Sequence, residues 1–204
     1  MNLLTGDVLK RRLTTYITEY VIKGVPSLFA DIKPLYSDPE KSAILTTLLA
    51  ELHDNLTSTG TLDGIPSEEG ATKEYDTPTA LVWLLYFLAQ QSSLLGDHST
   101  ALRHLETAIR HTPTLPELHM IKARVLKRAG DAVAAEKAMD DARALDGQDR
   151  FLNGKAAKYL LRVDKVDQAH KVAGLFTRVR FSVYHLALAD TIFLLFNRKT
   201  LRRR

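Results

Sequence analysis

Apolar residues recur at helical spacing along most of the chain, with charged and polar residues between them. Near the N-terminus they lie three or four residues apart until the run stops at Gly24-Val25-Pro26. A second apolar stripe begins after Asp38-Pro39, where an N-cap residue precedes a proline at the first helical position. Because an α-helix repeats every 3.6 residues, both stripes predict amphipathic helices. Residues 1–56 are therefore predicted to form an N-terminal helical lead-in.

A 34-residue period orders the chain further on: Gly96, Gly130 and Asp164 follow at that interval, each between two amphipathic segments. Four apolar columns keep the same interval, namely Ala89, Ala123 and Ala157; Ala101, Ala135 and Ala169; Leu105, Met139 and Ala173; Ala108, Ala142 and Phe176. Two helices joined by a tight turn cannot bury their apolar faces alone, so such repeats stack. The period predicts an all-α fold, a TPR-type α-α superhelix or solenoid of antiparallel helical hairpins.

The remaining boundaries follow from where this periodicity holds and where it stops. Three TPR-like repeats are predicted within 78–178, at about 82–115, 116–149 and 150–178. Residues 57–77 contain three glycines, a proline and several acids without periodicity, which predicts a flexible insertion. Residues 179–204 depart from the repeat pattern and form a divergent basic tail.

Charge changes this picture only near the C-terminus. The chain has 28 basic and 24 acidic residues, a net charge of +4. From Arg178 onward there are seven basic residues and one acid, so this part carries +6 and residues 1–177 carry −2. The net positive charge is thus a property of the tail, and we predict no sequence-specific binding of nucleic acid.

Compartment and membrane association are constrained by two further features. The chain has no cysteine, which excludes disulfides and thiolate chemistry and fits a reducing, cytoplasmic compartment. No secretory signal is visible at the N-terminus. The apolar segment 182–196 contains a histidine and an aspartate and is shorter than the ~20 residues that span a bilayer, so no membrane association is expected.

Three stretches are more specific than a general TPR pattern: KGVPSLF at 23–29, LYSDPEK at 35–41 and HTPTLPEL at 111–118. They resemble the auxiliary subunit of the N-terminal acetyltransferase A complex (NatA), and the resemblance extends over roughly residues 16–178. It implies a non-catalytic scaffold whose partners are the catalytic acetyltransferase subunit and the ribosome. Because that family's subunit is a much longer TPR ring, this chain corresponds to an interior piece. Its divergence after 178 is interpreted as truncation or an altered reading of the gene.

A binding surface is predicted from the first helix of each repeat, which lines the concave groove of a TPR array. The corresponding column holds Gln90, Arg124 and Lys158, and Lys127 lies one turn after Arg124. Trp83, Tyr86, Met120 and Phe151 are predicted as neighbours of this basic stripe. Such a surface suits an acidic or phosphorylated partner, while an ordinary solvated helix face is the open alternative.

The family resemblance adds a ligand to this surface. Auxiliary subunits of this family can bind inositol hexakisphosphate where they meet the catalytic subunit, and the matching positions here are Lys155, Lys158 and Arg162. The complete set of predicted polyanion- and partner-binding residues is Arg124, Lys127, Lys155, Lys158 and Arg162.

Enzymatic chemistry finds little support in the sequence. The stretch 127–132 approaches the turn that binds acetyl-CoA, but it begins with Lys127 and lies in the turn of a helical hairpin, with no strand before it. No phosphate loop, metal-binding HExxH motif or nucleophile elbow is found, and the seven histidines show no recognisable ligand motif. We predict no catalytic, cofactor or metal residues, and a general TPR interaction scaffold is the alternative function.

Overall fold

The computed structural model describes residues 6–63 and 78–176, and in these ranges the secondary structure is helical, without strands. The α-helices are α1 (Gly6–Ile22), α2 (Leu28–Ile32), α3 (Pro39–Thr59), α4 (Pro78–Leu94), α5 (His98–His111), α6 (Pro116–Ala129), α7 (Ala132–Leu145), α8 (Arg150–Arg162) and α9 (Val166–Gly174). A 3-10 helix, Lys33–Ser37, precedes α3. The chain divides into two compact units, Met1–Pro113 and Thr114–Arg204.

Helix α3 shows how local sequence sets the helix boundaries. The Asp38 side chain accepts hydrogen bonds from the backbone N–H groups of Glu40 (3.0 Å) and Lys41 (3.3 Å), and so caps the N-terminus. The helix ends at Thr59, because Gly60 adopts a left-handed conformation with φ of 75°. It therefore continues three residues into the segment 57–77 that the sequence assigned to the insertion; residues 64–77 lie outside the described ranges.

Helix α4 is the central element of the first unit. It packs against α1, α2, α3 and α5, and residues on most of its circumference are buried. Phe87 is 1% exposed and meets the Phe29 ring edge-on, with the ring centroids 5.3 Å apart. A helix that is apolar on all sides needs neighbours on all sides, and this packing explains why α4 lacks a polar face.

The second unit consists of the hairpins α6–α7 and α8–α9. Its core is lined largely by small side chains, which allow the helices to approach closely: Ala123, Ala138, Ala142 and Ala156, with Met139 and Leu152. Gly130 turns the first hairpin at φ of 95°, and Asp164 turns the second at φ of 63°. Lys165 Nζ lies 2.8 Å from a Glu136 carboxylate oxygen and connects the start of α9 to α7.

Membrane insertion has no candidate among the helices that the structure describes, since none is both long and apolar enough to cross a bilayer. The segment 182–196 and the basic tail 179–204 lie outside the described ranges.

Candidate functional site

Five cationic side chains of the second unit form a group together with Tyr159, and we call this group the Tyr159 cluster. Its cations are Arg124, Lys127 and Arg128 on α6, and Lys155 and Arg162 on α8. Lys127 Nζ lies 5.9 Å from the centroid of the Tyr159 ring, and Arg162 Cζ lies 6.0 Å from it. Both distances are within the range of cation–π attraction. The aromatic ring thus lies between cations from the two helices.

Helical spacing explains why each helix presents its cations together. Residues three, four or seven positions apart share one face of a helix. On α6 this spacing groups Arg124 with Lys127 and Arg128, and on α8 it groups Lys155 with Tyr159 and Arg162. α6 and α8 are the first helices of successive hairpins, so the repeat places two such faces in the same unit.

The charges of the cluster repel one another. The pKa of Lys127 is lowered, first by burial and then by the charges of Arg162, Arg124, Arg128 and Lys155. Burial and the charge of Arg124 likewise lower the pKa of Arg128. Burial raises the pKa of Tyr159, while the neighbouring guanidinium groups oppose that shift. The phenol is consequently neutral and the cluster carries positive charge at neutral pH.

No carboxylate among the described residues forms an ion pair with Arg124, Lys127, Lys155, Lys158 or Arg162. Other lysines of the chain do have such partners: Lys10 pairs with Glu51, and Lys165 pairs with Glu136. Grouped cations repel one another, and an anion that contacts several of them at once relieves this repulsion. The cluster therefore has the electrostatics of an anion-binding surface.

The basic surface continues along α8 towards its N-terminus. Phe151 is 57% exposed, and Lys155 Nζ lies 5.1 Å from its ring centroid. Lys158 is exposed and follows Phe151 by seven residues, so both lie on one face of the helix. The charges that shift the pKa values of Lys127 and Tyr159 do not include Lys158. Lys158 therefore borders the cluster, whereas the other four predicted residues belong to it.

Two members of the cluster, Tyr159 and Arg128, were missing from the sequence prediction. The helical spacing of Tyr159 was visible in the sequence, since Tyr159 follows Lys155 by four residues and precedes Arg162 by three. Trp83 and Tyr86, which the sequence predicted as neighbours of the basic stripe, belong to the first unit, where their ring centroids lie 5.4 Å apart. Gln90 is also buried there, at 7% exposure.

The histidines form no metal centre in the part of the chain that the structure describes, where no group of three or more potential ligands occurs. His53 and His104 pack edge-on instead, with ring centroids 5.9 Å apart. The pKa of His104 is lowered, first by burial and then by the charge of His53. His104 is thus half-buried.

Comparison with known proteins places this architecture in a family. The family described as "N-terminal acetyltransferase A, auxiliary subunit" matches residues 1–188. The NAA15 auxiliary subunit of the N-terminal acetyltransferase A complex from Arabidopsis thaliana is 38% identical over 178 residues, which cover 87% of this chain and 19% of that protein. N-alpha-acetyltransferase 16, the NatA auxiliary subunit of Homo sapiens, is also 38% identical, over 87% of this chain and 20% of its own length.

A solved structure agrees with these relatives in fold. In the structure of Naa15/Naa10 bound to HypK-THB, one chain superposes with a TM-score of 0.74 at 35% identity, covering 89% of this chain and 25% of that one. The chain thus spans about a fifth of the length of these curated relatives. The predicted all-α, TPR-type fold is confirmed. On the match over residues 1–188, the chain belongs to the family of auxiliary subunits of N-terminal acetyltransferase A.

Proposed function

We propose that this chain is a non-catalytic part of a scaffold that holds the catalytic subunit of a protein N-terminal acetyltransferase. The observation that carries the proposal is the family match over residues 1–188. It is supported by the similarity to a chain of a solved complex that contains both Naa15 and Naa10. Stacked helical hairpins suit this role, because their side chains form extended surfaces on a rigid backbone. We further propose that the scaffold acts in the cytoplasm and brings the acetyltransferase to ribosomes.

Co-purification tests the scaffold role. The tagged 204-residue chain, shown to be helical by circular dichroism, is mixed with the catalytic acetyltransferase subunit and separated by size-exclusion chromatography. We expect the two proteins to co-elute and the isolated chain to show no acetyl transfer. Failure of the folded chain to retain the catalytic subunit would contradict the proposal and favour a general interaction scaffold. Sedimentation with purified ribosomes, with and without the catalytic subunit, tests the ribosomal part separately.

We also propose that the Tyr159 cluster binds a polyanion of the inositol hexakisphosphate class. Four of the five residues first assigned to this role, Arg124, Lys127, Lys155 and Arg162, belong to the cluster, and Lys158 borders it. A compact ligand with many phosphates suits a compact set of cations, because each guanidinium group can donate two parallel hydrogen bonds to a phosphate.

Charge reversal within the cluster is expected to abolish most of this binding. Hydrogen bonds to charged groups contribute about 1.5–3 kcal/mol each, so R124E combined with R162E should weaken inositol hexakisphosphate binding by about 100-fold or more. Isothermal titration calorimetry on the complex with the catalytic subunit measures the effect. K137E is the matched control, since Lys137 is exposed on α7 and outside the cluster. Equal affinities for both variants would disprove the assignment.

A further inference from the structure

We propose that Lys127 is an acylation site, at which the side-chain amine accepts an acyl group from a phosphorylated acyl thioester such as acetyl-CoA. In this proposal, the neighbouring guanidinium groups attract the phosphates of the donor and the lysine supplies the nucleophile. Acylation of Lys127 requires neither a bound catalytic subunit nor an inositol phosphate and is independent of the proposed function.

The surroundings of Lys127 differ from those of the lysines that pair with acids. Lys23 pairs with Glu19, and Lys41 pairs with Asp38. A paired carboxylate stabilises the ammonium form of a lysine. The pKa of Lys23 is accordingly raised, first by its hydrogen bond with Glu19. Lys127 is half-buried beside the Tyr159 ring, and no described carboxylate pairs with it.

Acylation needs the neutral amine, because an ammonium group has no lone pair with which to attack a carbonyl carbon. Burial and four like charges lower the pKa of Lys127. Near pH 8, the fraction of the neutral amine form is therefore larger for Lys127 than for a fully solvated lysine. The Tyr159 ring opposes this effect, since its face attracts the ammonium form.

The cations that favour the neutral amine also attract a suitable donor. A thioester carried by a nucleotide bears several phosphate charges, and Arg124 and Arg162 are exposed guanidinium groups that act on the same lysine. Guanidinium groups bind phosphates in a bidentate manner. Opposite charges also raise the local concentration of the donor, an effect that weakens as salt increases.

The transfer balances without any oxidant or reductant. The neutral Nζ of Lys127 attacks the thioester carbonyl carbon and forms the C–N bond, and the C–S bond then breaks with its electron pair on sulfur. The nitrogen loses one proton, and the thiolate of the carrier takes up one proton to become a thiol. The product is a neutral amide, so the cluster loses one positive charge and becomes a weaker site for anions.

Site-resolved acetylation rates test the proposal. The full 204-residue chain is incubated with acetyl-CoA between pH 7 and 9, and peptide mass spectrometry measures the initial rate at each lysine. We expect Lys127 to react several times faster than Lys23 and Lys137. Lys137 is a suitable reference, because it is exposed and lines an open groove with Asp131, Glu136 and Asp140. A rate at Lys127 no higher than at Lys137 would overturn the proposal.

A second donor separates the effect of the neutral amine from the effect of phosphate recruitment. S-acetyl-N-acetylcysteamine is an uncharged thioester, so its preference for Lys127 should reflect only the neutral amine. This preference should fall less with salt than the preference of acetyl-CoA, because salt then screens only the like charges that lower the pKa of Lys127. With acetyl-CoA, the ratio of the rate at Lys127 to the rate at Lys137 should be larger than with the uncharged donor at low salt. This ratio should shrink as the Debye length falls from about 10 Å at 0.1 M to about 3 Å at 1 M. Identical preferences for both donors at low salt would refute phosphate recruitment.

Two variants complete the design. R124Q combined with R162Q should remove the extra preference for acetyl-CoA, and K127R should abolish modification at position 127 while rates at Lys23 and Lys137 stay the same. Both arginines are exposed, so these substitutions should preserve the fold, which circular dichroism verifies. If the double variant kept the full preference for acetyl-CoA, the role of the guanidinium groups would be wrong.

Discussion

Replacement of Phe87 by alanine is expected to lower the free energy of unfolding by about 3–5 kcal/mol, the usual loss when a buried phenylalanine is truncated. Phe87 is 1% exposed on α4 and packs edge-on against Phe29. Since α4 contacts four other helices, no single element can move to fill the resulting cavity. Domains of this size are stable by about 5–15 kcal/mol, so this loss is a large fraction of the total.

Urea denaturation followed by tryptophan fluorescence measures this effect in the relevant unit. The chain has one tryptophan, Trp83, which also lies on α4 and therefore reports on the first unit. Leu95→Ala is the control: Leu95 belongs to the same unit, follows α4 and is 57% exposed, so its truncation should cost less than about 1 kcal/mol. Similar losses for Phe87→Ala and Leu95→Ala would show that α4 is not the core of this unit.

The hairpins were predictable because their signals are local and repeated. Gly96 and Gly130 have φ values of 91° and 95°, as expected of turn glycines that end a helix. The third turn has no glycine, yet Asp164 adopts a φ of 63° at the position that the 34-residue interval indicates. Aspartate tolerates this conformation better than most residues, so the period located the turn more reliably than residue type alone.

The end of α3 was harder to predict, because its last three residues are polar. The apolar stripe finishes at Leu56, and the sequence therefore placed the boundary there. In the structure, the hydroxyl groups of Thr57 and Thr59 donate hydrogen bonds to the backbone carbonyls of His53 (2.9 Å) and Asn55 (2.7 Å). These polar residues continue the helix up to Gly60, and hydrophobic periodicity does not detect such a turn.

The candidate site was only partly predictable for a different reason. Periodicity shows which side chains share a face of one helix. It therefore grouped Arg124 with Lys127 on one helix face, and Lys155 with Arg162 on another. It gives no distance between helices, so it could not place the Tyr159 ring of α8 beside Lys127 of α6. It also could not show that Trp83 packs against Gly24, which lies 59 positions earlier in the sequence.

That long-range contact leads to a second large effect, since Gly24→Ala should destabilise the first unit in two ways. Gly24 has a φ of 65°, and a non-glycine residue in this conformation costs about 1–2 kcal/mol. A Cβ atom at this position would also lie 2.6 Å from Trp83 Nε1, well inside contact distance. Overpacking of this kind typically adds about 1–3 kcal/mol. We therefore expect Gly24→Ala to lower the free energy of unfolding, measured by urea denaturation, by about 2–5 kcal/mol in total.

Gly60→Ala separates the two contributions, because Gly60 has a similar φ of 75° but no atom of the described residues lies within 4 Å of the added Cβ. The Gly60→Ala variant should lose only about 1–2 kcal/mol of unfolding free energy, because it adds backbone strain alone. Equal losses for Gly24→Ala and Gly60→Ala would disprove the contact with Trp83. A double-mutant cycle gives the decisive comparison. In this cycle, Gly24→Ala is introduced into a Trp83→Leu variant, and unfolding is followed by circular dichroism. The free energy of unfolding should then fall by about as little as it does for Gly60→Ala. The ring that the Cβ atom meets is gone in this variant, while the backbone strain remains.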